Sequence, residues 1–491
     1  MPKKYNNGLF IFRRDLRIQD NKGLKLLNDE CNNIYTIFIF TPEQVGNINK
    51  YKSNNCIQFM IESLQNLKSN LGGKLYCFYG KNNNVINYLI HELGIDAVGF
   101  NLDHTPYAVN RDVEIMDLCW KKNINVLFES DYYLNEPGTI LSGGGTPYLK
   151  FTPYYTQATK KRIDNPLSNK LSVKQISKRL KNMIQLSQAM EKFTKNNNNL
   201  MIKGGRNEGI KMLKEAIKNQ KKYSKTRNII SYNTSMLSAY IKFGCLSIRE
   251  IYKSFRNNKD FIRQLHWRDF YSQVMYFNPQ VIGGALKENY NKIKWHNNSR
   301  LFKAWCDGKT GFPIVDASMR QLNTIGWMHN RGRMIVSSFL TKILLIDWRL
   351  GEKYFANKLV DYDPANNNGG WQWSAGTGAD SQPYFRIFNP FLQSQTHDPD
   401  CEYIKKWIPE LAEVDNEIIH NWNDMEKINK LNEKRNKDEE KDKNKEKDEE
   451  KEEKEKEKNK NKKKININYP RPIVDYNEQK EKALKMYKSV Y

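Results

Sequence analysis

The sequence predicts an α/β N-terminal domain with a parallel, Rossmann-like sheet, followed by an all-α domain. Short apolar runs alternate with amphipathic segments from Leu9 to about Ser130, and from about Arg206 to Trp422 the pattern turns helical with few strand runs. The chain has 491 residues, 39% hydrophobic and 12% aromatic, enough for a large core and two or three domains.

In order along the chain, "LFIF", "IYTIFIF", "KLYCFYG", "DAVGF" and "NVLFES" read as buried strands. Between them Ile57, Met60, Ile61, Leu64, Leu67 and Leu71 recur at helical spacing. Such alternation implies a parallel sheet covered on both faces, with a ligand crevice at the carboxyl ends of its strands. Neither GxGxxG nor GxxxxGK[ST] follows the first strand, which leaves a standard dinucleotide or P-loop site without support. "RRDLRIQDN" (Arg13 to Asn21) stands there instead. These signals divide the chain into an α/β domain at 1–134, a connection at 135–205 rich in turn residues, Lys and Asn, and a helical domain at 206–424. Seven of the ten tryptophans fall between Trp267 and Trp373, where filling a helical core is the simplest role for any one of them. A charged low-complexity insert is expected at 425–468 and a closing helix at 469–491.

The formal charge of +25 favours a polyanionic partner such as nucleic acid. The run Glu433 to Lys464 carries 15 basic and 13 acidic residues, a net of +2, so +23 lies elsewhere. Without an apolar residue this run cannot build a core and is expected to be a solvated insert or polar helix. Seven scattered cysteines with no CxxC pair suit a reducing compartment. No zinc site, signal peptide or membrane-spanning run is visible. A soluble intracellular monomer is expected, in nucleus or cytoplasm.

Chemistry concentrates in "NNGGWQW", Asn367 to Trp373. Gly369 and Gly370 permit close ligand approach. The amides of Asn367 and Asn368 both donate and accept hydrogen bonds, as a planar heterocycle requires. On a helix, Trp371 and Trp373 lie about 200° apart and face opposite sides. Upstream, Thr234, Ser235 and Ser238 precede a helical pattern where hydroxyls and free N–H groups bind phosphate, or merely cap the helix. "SIRE" (Ser247 to Glu250) reads as a capping box. Arg333 of "WMHNRGRM" and Asp361 of "LVDYDPANN" form a candidate ion pair, structural or functional.

Together these segments resemble the photolyase/cryptochrome family, most closely its class I cyclobutane pyrimidine dimer photolyases. "FIFRRDLRIQDN", "TSMLS", "HWRDFY", "WMHNRGRM", "NNGGWQW", "YFRIFNP" and "YPRPIVDYNEQKEKALKMY" carry the resemblance in the family's order. It implies a helical domain that holds FAD and light-driven repair of cyclobutane dimers in UV-damaged DNA. Tyr223, Thr234, Ser235, Met236, Leu237 and Ser238 would follow the flavin phosphates and ribose, with Phe261 nearby. Asp361, Asp363 and Asn367 would approach the isoalloxazine, and Arg333 would pair with Asp361. Trp371, Trp348 and Trp295 match the family's electron-carrying tryptophans. Trp267 and Trp373 would stack on the flipped lesion, while Arg227, Asn330, Arg331, Met334 and Gln393 would line its pocket or meet the backbone.

Within the family, six-four repair uses histidines at the positions of Asn330 and Met334, and plant cryptochromes have aspartate at that of Asn367. Dimer repair is therefore favoured over a cryptochrome-type photoreceptor and over a light-independent nucleic-acid-binding protein. Gln264 stands where class I enzymes have a glutamate that bonds the lesion, which predicts a lower repair yield or a shifted lesion preference. "NLDHTPYAVNRD" (Asn101 to Asp112) resembles the antenna segment, with Arg111 in place of an acidic residue linked to folate. Folate, deazaflavin and an empty antenna site stay open.

Overall fold

The structure is a computed structural model that describes residues 3–381, 383–424, 426 and 468–490. Apart from residues 426 and 468, the expected insert at 425–468 lies outside them. Five parallel strands form one sheet in the order β3-β2-β1-β4-β5: β1 Tyr5–Phe12, β2 Cys31–Phe40, β3 Leu75–Tyr79, β4 Ala97–Asn101 and β5 Asn125–Glu129. Each contains or overlaps one of the five expected runs. Their continuous apolar character follows from burial on both faces. Phe10, Phe12, Phe38 and Phe40 enter one core, and Leu9, Ile11, Ile37 and Ile39 enter the core on the opposite face.

Helices Asn82–Leu93 and Pro106–Lys121 cover the second face through Val85, Ile86, Leu89 and Ile115. On the first face lies helix Asn54–Asn70, capped by Ser53, whose Oγ accepts the N–H of Cys56. The expected stripe buries Ile57, Ile61, Leu64 and Leu67. The same core continues into Ala239, Tyr240, Phe243, Ile248 and Leu265 of the helical half. The halves therefore share apolar interior across their junction.

The segment read as a connection, 135–205, is more structured than its composition suggested. It forms helices Phe151–Ala158 and Leu186–Phe193. Its backbone also pairs with the sheet: Lys174 donates to the Ile34 carbonyl (2.8 Å) and Ile184 to that of Cys77 (2.9 Å). A few apolar anchors, Phe151, Leu186 and Phe193, suffice to dock a polar stretch. The closing helix runs over Tyr476–Lys488. The capping box is present, with Glu250 accepting the Ser247 N–H at 3.0 Å. All seven cysteines are free and buried. Among the described residues no helix is long and apolar enough to cross a membrane, and no His/Cys/Asp/Glu group has metal-site geometry.

"RRDLRIQDN" works at the junction. Arg17 pairs with Asp131, and Arg249, from helix Ile248–Phe255, reaches Asp131 Oδ1 at 2.5 Å and Asp20 Oδ2 at 3.0 Å. Every side chain in this network is at most 4% exposed. Removing one partner strands a buried charge, so Arg249→Met is expected to lower stability by about 3–5 kcal/mol. A urea midpoint unchanged from wild type would contradict the network's role.

Candidate functional site

Helix Pro364–Ala375 carries the centre of the site. Asp363 caps it, accepting the backbone N–H of Asn366 at 3.0 Å, and Pro364 takes the first position, where no N–H is needed. A side chain at Gly369 would overlap the ring of Tyr271, whereas one at Gly370 would meet open space. One glycine is required by packing, and the other has open space beside it.

Asn367, between those glycines and the cap, donates from Nδ2 to the backbone carbonyl of Glu352 at 3.1 Å. That bond leaves its carbonyl oxygen to accept from a ligand. Behind it, Asn368 donates to Glu352 Oε1 at 3.0 Å. Burial pushes the Glu352 carboxyl up to about 7, against the opposing pull of the Asn368 hydrogen bond.

The indoles diverge as helical spacing requires. Trp371 is buried, 5.0 Å from Phe355 and 6.1 Å from Trp305, with its Nε1 unpartnered. Trp373 is half-buried. Trp348 begins helix Trp348–Lys358 in the same dry cluster as Trp371, and half-buried Trp295 packs at the cluster's edge. The three expected electron carriers thus run from interior toward surface.

Asp361 joins three elements. It accepts Arg333 Nη2 at 2.9 Å and 3.1 Å on its two oxygens, and Ser238 Oγ at 2.6 Å. The expected ion pair is therefore present, and it fixes the 234–238 segment against helix Asn330–Lys342. In that segment Met236 adopts a left-handed φ of 53° just before helix Ser238–Lys242. Thr234 and Ser235 are half-buried, Leu237 is buried and Ser238 is exposed. Tyr223 meets Phe261 edge-on at 5.3 Å.

Among the described residues Arg227 and Arg331 have no carboxylate partner. Arg331 donates to Asn228 Oδ1 at 2.7 Å, and the Nε atoms of both Arg331 and Arg227 are buried without a partner. Burial, then the neighbouring Arg227 charge, lowers the Arg331 pKa. Two unneutralised guanidiniums with orphaned donors suit an anion. Asn330 and Met334 touch at 3.5 Å on one helical turn, and Gln393 keeps its Oε1 unpartnered. Gln264 is half-buried, with its Nε2 only 3.5 Å from the Asp260 carbonyl, so most of its amide stays available.

Sequence reasoning missed several participants. Phe151, from the supposed connection, stacks on Trp267 at 3.8 Å and 7°, covering one indole face. Glu352 and Trp305 stand behind Asn367 and Trp371, and Arg14 reaches Asp363. Only Arg14 had a local signal, the arginine doublet after β1. The expected crevice at the strand ends is present, about 240 Å³ and lined by Phe12, Arg13, Phe38, Asp103 and Arg111. Arg111 donates to Asp112 at 2.9 Å.

Comparison with known proteins accords with this geometry. The family described as DNA photolyase matches residues 9–171, and that described as the FAD binding domain of DNA photolyase matches residues 261–489. The deoxyribodipyrimidine photo-lyase of Alkalihalophilus pseudofirmus is 36% identical over 97% of each chain. An archaeal photolyase from Sulfolobus tokodaii, crystallised with two FAD molecules, is 34% identical with a TM-score of 0.83, covering 98% of this chain and 100% of its own. A bacterial class III photolyase from Agrobacterium tumefaciens is 28% identical with a TM-score of 0.85, covering 100% and 98%. The open side at Gly370 and the free Asn367 carbonyl fit FAD.

A methyl group at Gly351 would overlap the Trp371 ring. Gly351→Ala should therefore cost about 1–3 kcal/mol by overpacking, and should slow photoreduction of bound FAD. Denaturation and illumination of the same preparation check both effects.

Proposed function

The chain belongs to the DNA photolyase family, and from that premise we propose that it repairs cyclobutane pyrimidine dimers in UV-damaged DNA, in the manner of class I enzymes and as a single chain. The chemistry that reduced FAD supplies under blue light is an electron lent to the dimer and returned once the ring has opened. Each remaining task belongs to the residues of this chain.

The observation that carries the repair reading is the Asn367 amide. Its Nδ2 donates to the Glu352 carbonyl, a bond that an aspartate at this position, as in plant cryptochromes, would replace with oxygen facing oxygen. The amide thus presents a neutral acceptor that keeps its orientation at every ordinary pH. Asp361, held by Arg333 and Ser238, fixes the opposite wall. Thr234, Ser235, Met236 and Leu237 offer hydroxyls and backbone N–H groups to phosphate, with Tyr223 and Phe261 behind them.

Trp267 and Trp373 present half-buried indoles to a flipped dimer. Flipping is less costly there because a damaged pair is already weakened. Arg227 and Arg331 meet the DNA phosphates, and Asn330, Met334 and Gln393 border the pocket. Trp371, Trp348 and Trp295 carry electrons inward from the surface to restore the reduced cofactor. Gln264 donates a hydrogen bond to the lesion without supplying a proton. A light-harvesting chromophore, a folate or a deazaflavin, is the occupant proposed for the crevice at the strand ends. Damaged DNA as substrate puts the enzyme wherever the cell keeps its DNA, nucleus or cytoplasm.

The test uses chemically reduced protein and an oligonucleotide carrying one thymine dimer, followed for intact thymines in blue light and in darkness. Recovery in light alone is expected, and Gln264→Glu should raise the yield per absorbed photon. Bound, photoreducible FAD with no recovery in light would overturn dimer repair in favour of a photoreceptor.

A further inference from the structure

We propose that Arg14 is a positioning residue for the FAD site: from the sheet domain it holds Asp363 and, through it, the start of the helix that presents Asn367. The proposal rests on the FAD reading above. Arg14 follows β1, and its Nη2 lies 2.9 Å from Asp363 Oδ2. The two side chains are 12% and 10% exposed, so water can do little to replace either partner. The other Asp363 oxygen, Oδ1, accepts both the backbone N–H and the Nδ2 of Asn366, at 3.0 Å and 2.8 Å. Each carboxylate oxygen thus has one duty, Oδ1 to the helix and Oδ2 to the arginine. Burial pulls the Asp363 pKa upward, but Arg14 and then Arg268 hold the carboxyl far below its usual range. The cap therefore stays ionised.

The same guanidinium lines the crevice at the strand ends, together with Tyr362 and Pro364, the two neighbours of Asp363. Its Nη1 faces Asp103 at 3.5 Å, and its buried Nε has no partner. Asp363 therefore feels the charge of the crevice through one side chain, and an anion bound there would compete with it for Arg14. Asn367 is four residues from Asp363, and its backbone N–H donates to the Asp363 carbonyl at 2.9 Å, while its side chain donates to the carbonyl of Glu352 in the helical half.

The experiment reconstitutes the full-length apoprotein with FAD and reads the dissociation constant from flavin fluorescence, with the apoprotein melting temperature measured alongside. Arg14→Gln should weaken FAD binding at least about tenfold, and Arg14→Lys should restore part of the loss. The double variant with Asp363→Asn should bind no worse than Asp363→Asn alone, because Arg14 acts through that carboxylate. Binding by Arg14→Gln within about twofold of wild type would overturn the proposal, as would additive losses in the double variant. A lowered melting temperature with unchanged FAD affinity would also overturn it, leaving Arg14 an ordinary domain bridge. Wild-type protein that takes up no FAD would instead sink the FAD reading itself.

Discussion

Charge buried between the sheet and the helices governs how the two halves meet. Arg17, Asp20, Asp131 and Arg249 interlock where none can be re-solvated by a small shift, so the network tolerates one relative placement of the halves. Apolar packing alone would be more permissive, since Phe and Ile contacts lose little when surfaces slide. The shared core supplies cohesion, and the ion network supplies register. That register matters because Arg14, only three residues before Arg17, must meet Asp363 across the same junction.

The site shows a second division of labour, between a wet wall and a dry one. On one side stand guanidiniums, amides and hydroxyls, several with unused donors or acceptors. On the other, Trp371, Trp305, Phe355 and Trp348 form a packed aromatic cluster without charge. Helix Pro364–Ala375 forms the partition, because its 3.6-residue period sends Trp371 into the dry cluster and leaves Trp373 half-buried on the other side. On the repair reading proposed above, one short helix would thereby separate electron supply from lesion binding.

Much of this was legible in the sequence, and the reason is periodicity. Strands buried on both faces read as continuous apolar runs, and helices with one buried stripe read at 3.6 spacing, so all five strands and helix Asn54–Asn70 could be located. Arg333 with Asp361 was legible because two opposite charges in apolar surroundings need each other. What stayed hidden depends on distance in space without distance-independent pattern. Phe151 sits in a stretch whose Lys and Asn content resembles a linker, yet one aromatic ring placed on Trp267 makes it part of the site. Glu352 contributes its backbone carbonyl to Asn367, and no side-chain pattern announces a carbonyl.

Gln264 is an amide at the position where the family resemblance leads one to expect a glutamate. A glutamate there would stand half-buried on helix Lys259–Phe277 and would gain or lose a proton with its surroundings. The amide removes that variable. On the repair reading proposed above, the amide would still donate to the lesion but would have no acidic hydrogen to share with it. On that reading Arg227 and Arg331, whose buried Nε atoms have no partner, would supply fixed positive charge to the DNA phosphates beside the lesion. A pocket of this kind would replace a contact that depends on protonation by one that does not, so its lesion binding would vary less with pH.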